Sequence, residues 1–143
     1  MKRTLIIAEA GVNHNGSIAL ALKLVDAAAE AGADIVKFQT FKAGRLVSAS
    51  APLADYQQTA TADAYRSQLE MLRRLELSEA DHLELMARCD ERGIRFLSTA
   101  FDPESVEYLH SLGLGMWKIP SGEITNYPYL KRIAGFNEPT YMS

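Results

Sequence analysis

Short apolar runs alternate with stretches of helical periodicity along the whole chain, and four of the runs in succession end in polar, chemically able residues. Residues 5–9 form a β-rich run that reaches Glu9 and then a turn-forming loop with Gly11, Asn13, His14, Asn15 and Gly16. From Ser17 the spacing of Ile18, Ala21, Leu22, Val25, Ala28 and Ala29 marks one face of a helix, with Gly32 as its C-cap. Residues 35–41 are the second strand, with Lys37, Gln39 and Phe41 on one side and Val36, Phe38 and Thr40 on the other. A long connection over residues 42–63 follows, read as a loop, then a helix over 64–75 and another opened by the Ser78-Glu79-Ala80-Asp81 capping signal. Residues 95–101 are the third strand, and Asp102-Pro103 is an N-cap with proline at the first helical position. Residues 116–123 are the fourth run, Asn126 caps a short helix, and residues 139–143 begin a fifth strand.

Strands that alternate with helices in this way make a parallel sheet with right-handed crossovers. A doubly wound sheet and a (β/α)8 barrel both fit. The polar endings are Glu9, Lys37 with Gln39, Ser98 with Thr99, and Lys118 with Ser121 and Glu123. Strand after strand contributing to one mouth favours the barrel. Five strands cannot close it, which leaves the first half of a longer barrel, two chains that complete each other, or an open sheet with an edge seeking a partner.

Other classes are set aside on bulk grounds. The chain has 143 residues, enough for one sizeable core, and 48% hydrophobic with 23% charged residues is ordinary for a globular protein. No apolar run approaches the roughly 20 residues that cross a bilayer, and residues 1–8 are too short for a signal-peptide core, so the expectation is a cytoplasmic protein. A net charge of −3 with scattered Lys and Arg gives no footprint for nucleic acid. Cys89 is the single cysteine, so neither an internal disulfide nor a cysteine zinc site can form.

Four motifs carry a resemblance: residues 7–16 (IAEAGVNHNG), 36–41 (VKFQTF), 96–102 (FLSTAFD) and 118–123 (KIPSGE). In this order they are similar to the strand motifs of the sialic acid synthase family, which condenses phosphoenolpyruvate with N-acetylmannosamine or a related aminosugar to give nine-carbon acids. The wording around Phe41-Lys42-Ala43 and residues 69–77 leans towards the bacterial members that make N-acetylneuraminic or legionaminic acid. The resemblance implies a TIM barrel, of which this chain is about the first half. It also implies an antifreeze-like domain that caps the partner's barrel in a homodimer, and a divalent metal, manganese or magnesium, held by two histidines beyond Ser143.

By the same resemblance Lys37, Thr99, Lys118 and Ser121 match phosphoenolpyruvate-binding positions, and Glu9 and Glu123 match catalytic ones. Glu9 would stabilise an oxocarbenium-like centre and help deprotonate water. Glu123, with Gln39 and Phe101, would face the sugar. No metal ligand is assigned within the chain, and the chain alone is expected to lack synthase activity. His14 is a further candidate for lining the site, whereas His82 and His110 fall on helices and read as surface residues.

Two competing readings stand beside this one. A Schiff-base aldolase would use Lys37 or Lys118 as nucleophile. A non-catalytic module would keep the anion site and use its open sheet edge for assembly. Glu9 could equally be a carboxylate paired with Lys37 for stability alone.

Overall fold

A computed structural model describes residues 4–46 and 68–143. The elements are β1 (Ile7–Gly11), α1 (Ile18–Glu30), β2 (Ile35–Thr40), α2 (Ala43–Leu46), α3 (Gln68–Leu75), α4 (Glu79–Arg92), β3 (Arg95–Ala100), α5 (Pro103–Ser111), β4 (Trp117–Ile119), α6 (Tyr127–Ala134) and β5 (Thr140–Met142). β1, β2 and β3 pair in parallel in that order, and β4 pairs in parallel with β5. Within each set the strands lie side by side in chain order. The order reversal that creates the crevice of a doubly wound sheet is absent among the described strands.

Both faces of the three-stranded sheet are used, and the sequence shows why. On one face Val36, Phe38 and Phe96 are buried against Ala21, Val25 and Ala28 of α1 and Leu85 and Cys89 of α4. Residues one position along point the other way, where Ile35, Leu97 and Met116 form a separate buried cluster with Ile7 packed on it. Two residues further on, this second face changes from apolar to polar: Ile7 gives way to Glu9, Ile35 to Lys37, and Leu97 to Thr99. The apolar layer thus forms a floor under the polar groups.

The helix boundaries follow the signals in the sequence. Ser17 caps α1 by accepting from the Leu20 N–H, and Ser78 and Asp81 form a reciprocal capping box on α4. Asp102 caps α5 and Asn126 caps α6. Two expectations change. Residues 43–46, read as loop, form the helical turn α2, while residues 47–63 of that loop and 64–67 of the following helix lie outside the described residues. The fourth run stays extended only through Ile119, because Ser121-Gly122-Glu123 winds into a 3-10 turn after Pro120.

Two histidines differ from a surface reading. His82 is fully buried, on the inward stripe His82-Leu85-Cys89 of α4. Its Nδ1 lies 2.8 Å from the Ser78 carbonyl and must donate to it, so the neutral ring's Nε2 accepts from the Thr40 hydroxyl at 2.8 Å. Thr40 Oγ1 then accepts from the Ser98 hydroxyl at 2.7 Å, fixing the direction of the whole chain. His14 is also fully buried; its Nδ1 accepts the Gly16 N–H at 3.1 Å and its ring faces Phe38. His110 is exposed, as expected, with its ring stacked on Phe136.

Burial lowers the pKa of both inner histidines from the ordinary value of 6.5, with Asp81 pulling each partly back and the Ser78 hydrogen bond also raising that of His82. The unfolded chain therefore binds more protons below that value, so this stability is complete above pH 6.5 and falls as the pH drops through the lowered native pKa values. Urea melts taken from about pH 8 down to about pH 5 should show it. His82→Gln is expected to flatten the profile; an unchanged slope would remove His82 from its cause.

Candidate active site

Glu9, Lys37, Gln39, Thr99, Phe101, Lys118 and Ser121, together with Pro120 and Ser143, line one cavity of about 340 Å3 at the C-terminal ends of the strands. In-register pairing puts Glu9 beside Lys37 and Gln39 beside Thr99. Lys37 is only 8% exposed, and its ammonium lies 2.5 Å from a Glu9 carboxylate oxygen and donates to Thr99 Oγ1 at 3.3 Å. Glu9 keeps about half of its side chain open, 51%, so the pair has one dry member and one wet one.

Gly11 permits this arrangement. A bulge between Glu9 and Gly11 breaks the β1–β2 register, and Gly11 takes φ +54°. A Cβ there would lie 3.1 Å from Glu9 Oε1 and 3.5 Å from Gln39 Nε2. The glycine therefore clears room for two of the groups that face the cavity.

Lys118 donates to its neighbour's carbonyl, Ile119 O, at 2.8 Å and to Ser143 Oγ at 2.6 Å. Partial burial lowers its pKa from the ordinary 10.5, the Lys37 charge lowers it further, and Glu9 offsets part of this. Two ammonium groups and one carboxylate thus line the same cavity, the carboxylate held against Lys37. An anion bound there would relieve that repulsion.

Asp102 fastens the rim. Its buried carboxylate accepts from the Lys42 N–H at 2.8 Å, the Ser105 N–H at 2.9 Å and the Ser105 hydroxyl at 2.7 Å. With Phe101 N–H donating to Thr40 O at 3.1 Å, the exits of β2 and β3 are tied together. Gln39 and Phe101 are held on that tie.

Glu123 is not brought into this cavity. The 3-10 turn carries it outward, where its Oε2 accepts from Asn126 Nδ2 at 2.6 Å and it lines a second cavity between α5 and α6. Phe101 borders both cavities. Phe41, placed with Lys37 and Gln39 by alternation, leaves the strand and borders a different cavity beside His82. His14 does not border the main cavity either; its buried ring accepts the Gly16 N–H and faces Phe38. Ser143 is the site residue that sequence reasoning missed; a fifth parallel strand should end at the same mouth, which was the available signal.

No group of three or more His, Cys, Asp or Glu able to hold a metal comes together among the described residues. His14 spends Nδ1 on the Gly16 N–H, and His82 uses both ring nitrogens. The described residues do not fit a divalent metal site.

The NeuB family profile matches residues 24–143. The chain belongs to the NeuB family. It is 55% identical over its whole length to N,N'-diacetyllegionaminic acid synthase of Campylobacter jejuni, covering 42% of that protein. It is 54% identical over 96% of its length to the enzyme of the same name from Legionella pneumophila, covering 38%. It superposes on the crystal structure of an N-acetylneuraminic acid synthetase from Leptospira borgpetersenii, solved with citrate, with a TM-score of 0.81 at 28% identity, over 99% of this chain and 44% of that one. The chain therefore spans about two fifths of the length of these relatives. Among its described residues no helix is long and apolar enough to cross a membrane.

Proposed function

We propose that this NeuB-family chain forms the anion- and sugar-facing first half of a TIM barrel in a sialic-acid-type synthase. The observation that carries the reading is the meeting of Lys37, Thr99, Lys118 and Ser121 with Glu9 in one cavity at the strand ends. Phosphoenolpyruvate carries a phosphate and a carboxylate, and two ammonium groups flanked by hydroxyls suit that pair of anions. The acceptor is an N-acetylated aminosugar aldehyde, as the names of the legionaminic acid relatives suggest.

In this reaction the enol carbon attacks the aldehyde and positive charge develops at the former enol C2. Water adds there, and phosphate leaves with cleavage of the C–O bond, giving a nine-carbon 2-keto acid. Lys37 and Lys118 hold the phosphate and carboxylate. Glu9, close to Lys37 and open to the cavity, stabilises the developing cation and takes the proton from water. Gln39 and Phe101 orient the acceptor from the rim. A divalent metal would polarise the aldehyde and would take its ligands from outside the described residues. The partner in a homodimer would cover the mouth.

The Glu9 contact also bears on the Schiff-base alternative. An ammonium held by a carboxylate has no lone pair to offer a carbonyl, which argues against Lys37 as a nucleophile. Phosphoenolpyruvate titrated into the chain is expected to shift the NMR signals of Thr99 and Ser121. Borohydride with pyruvate is expected to leave no adduct on Lys37 or Lys118. A trapped adduct would replace the synthase with a Schiff-base enzyme.

A further inference from the structure

Where the three-stranded sheet packs on α4, the contact is apolar over Val36, Phe38 and Phe96, with Leu85 and Cys89 opposite. Near the ends of β2 and β3 the same layer turns polar. Thr40 and Ser98 are 5% and 1% exposed, and the fully buried His82 of α4 meets them there. Stability alone does not account for these residue types. Apolar groups of the same shape in place of a satisfied buried network leave the free energy nearly unchanged or improve it. What directional bonds add is one fixed arrangement, because apolar contacts are non-directional and tolerate sliding.

Each link of the network is itself anchored. His82 donates to the carbonyl of Ser78, the N-cap that Asp81 holds in a capping box, and its ring meets Phe96 and Tyr108 edge to face at 6.0 and 5.1 Å. Thr40 is held at three points: its hydroxyl donates to His82 Nε2 and accepts from Ser98, and its carbonyl accepts the Phe101 N–H. Phe38 is the residue in register with Ser98, so the Thr40–Ser98 bond is a diagonal tie from β2 to β3.

The neighbours of these two hydroxyl residues carry the site. Gln39 and Thr99 are in register, point to the opposite face and line the anion cavity, where the Lys37 ammonium donates to Thr99. One peptide unit joins Gln39 to Thr40 and another joins Ser98 to Thr99, so movement of the tie is movement of the cavity wall. Binding groups act well only when held within roughly 0.5 Å of their working positions. We propose that the buried chain His82–Thr40–Ser98 is a positioning device for the anion cavity: from behind the sheet it fixes the spacing of Gln39 and Thr99. None of its three members borders the cavity, so they act through the strands and not on the ligand. This rests on the synthase reading and adds what holds that site in shape.

The test is titration calorimetry of phosphoenolpyruvate on the chain and three variants, with their melting temperatures and the NMR signals of the Gln39 amide and Thr99. Thr40→Val keeps the shape and removes the hydroxyl; it is expected to weaken binding about tenfold, the equivalent of about 1.4 kcal/mol, and to shift both signals before ligand is added. Thr40→Ser keeps the hydroxyl and loses a buried methyl; it is expected to melt lower yet bind as the parent chain does. Ser98→Ala deletes the tie without orphaning a donor, so it is expected to melt near the parent chain yet bind several-fold more weakly, and it keeps the test open should Thr40→Val not fold. Affinity that follows melting temperature across the variants would make the network a stability element and overturn the positioning role. Unchanged affinity in Ser98→Ala overturns it as well and leaves the synthase reading standing. No binding by the parent chain overturns the synthase reading and the positioning role with it.

Discussion

Lys37→Met is expected to weaken phosphoenolpyruvate binding by at least about 30-fold, the equivalent of about 2 kcal/mol, measured by titration calorimetry on the chain. Methionine keeps most of the stem's volume in the β2–β3 cleft, so the apolar floor of Ile35 and Leu97 is undisturbed. What disappears is the charge that Glu9 and Thr99 hold in place. Glu9 is half open to solvent and regains water when its partner goes, so the melting temperature should change little. Loss of fold together with binding would make the Glu9–Lys37 pair a structural bond instead. The corresponding Lys118 substitution should cost less, because that ammonium must first give up Ile119 O and Ser143 Oγ to meet a ligand.

Gly16→Ala is expected to be the most damaging single change to the fold, at about 3 kcal/mol or more in urea unfolding. Gly16 has φ +77°, where an L side chain costs roughly 1–2 kcal/mol. A Cβ there would also lie 2.1 Å from the Arg74 carbonyl oxygen, and backbone cannot swing aside as a side-chain tip can. Overpacking of that kind adds about 1–3 kcal/mol. The same residue donates its N–H to His14, so the insertion would disturb a buried imidazole as well. Gly32 is the control: its φ is +76° with open space around it, so Gly32→Ala should cost only the conformational part. Equal losses at the two positions would mean that the Arg74 contact does not constrain Gly16.

Much of this was legible because the relevant forces are local. Ser17, Ser78, Asp102 and Asn126 all sit at helix starts, since a short side-chain acceptor beside orphan N–H groups works without help from tertiary structure. Strand alternation likewise put Lys37 and Gln39 on one side, and Glu9 did pair with Lys37. What was not legible lies in geometry that one-dimensional periodicity does not carry. A 3-10 turn after Pro120 rotates Glu123 out of the mouth that Lys118 and Ser121 share, although only a few residues separate them. From its place on a helix His82 reads as a surface residue; the structure puts it on the inward stripe with Leu85 and Cys89, and the hydroxyls of Thr40 and Ser98 make that burial tolerable. Cys89, on the same stripe, is inert for the same reason, its thiol pushed up to about 12 by burial.

The central claim is that Lys37 and Lys118, from two strands, close on one doubly anionic ligand beside Glu9. A crystal of the chain soaked with phosphoenolpyruvate tests it most directly. The account predicts the ligand between the two ammonium groups, with its phosphate and carboxylate in hydrogen-bond contact with Lys37, Thr99, Lys118 and Ser121, and with Lys118 released from Ile119 O. An ordered ligand elsewhere on the chain, with Lys37 still on Glu9 and Lys118 still on Ile119 O, would contradict it.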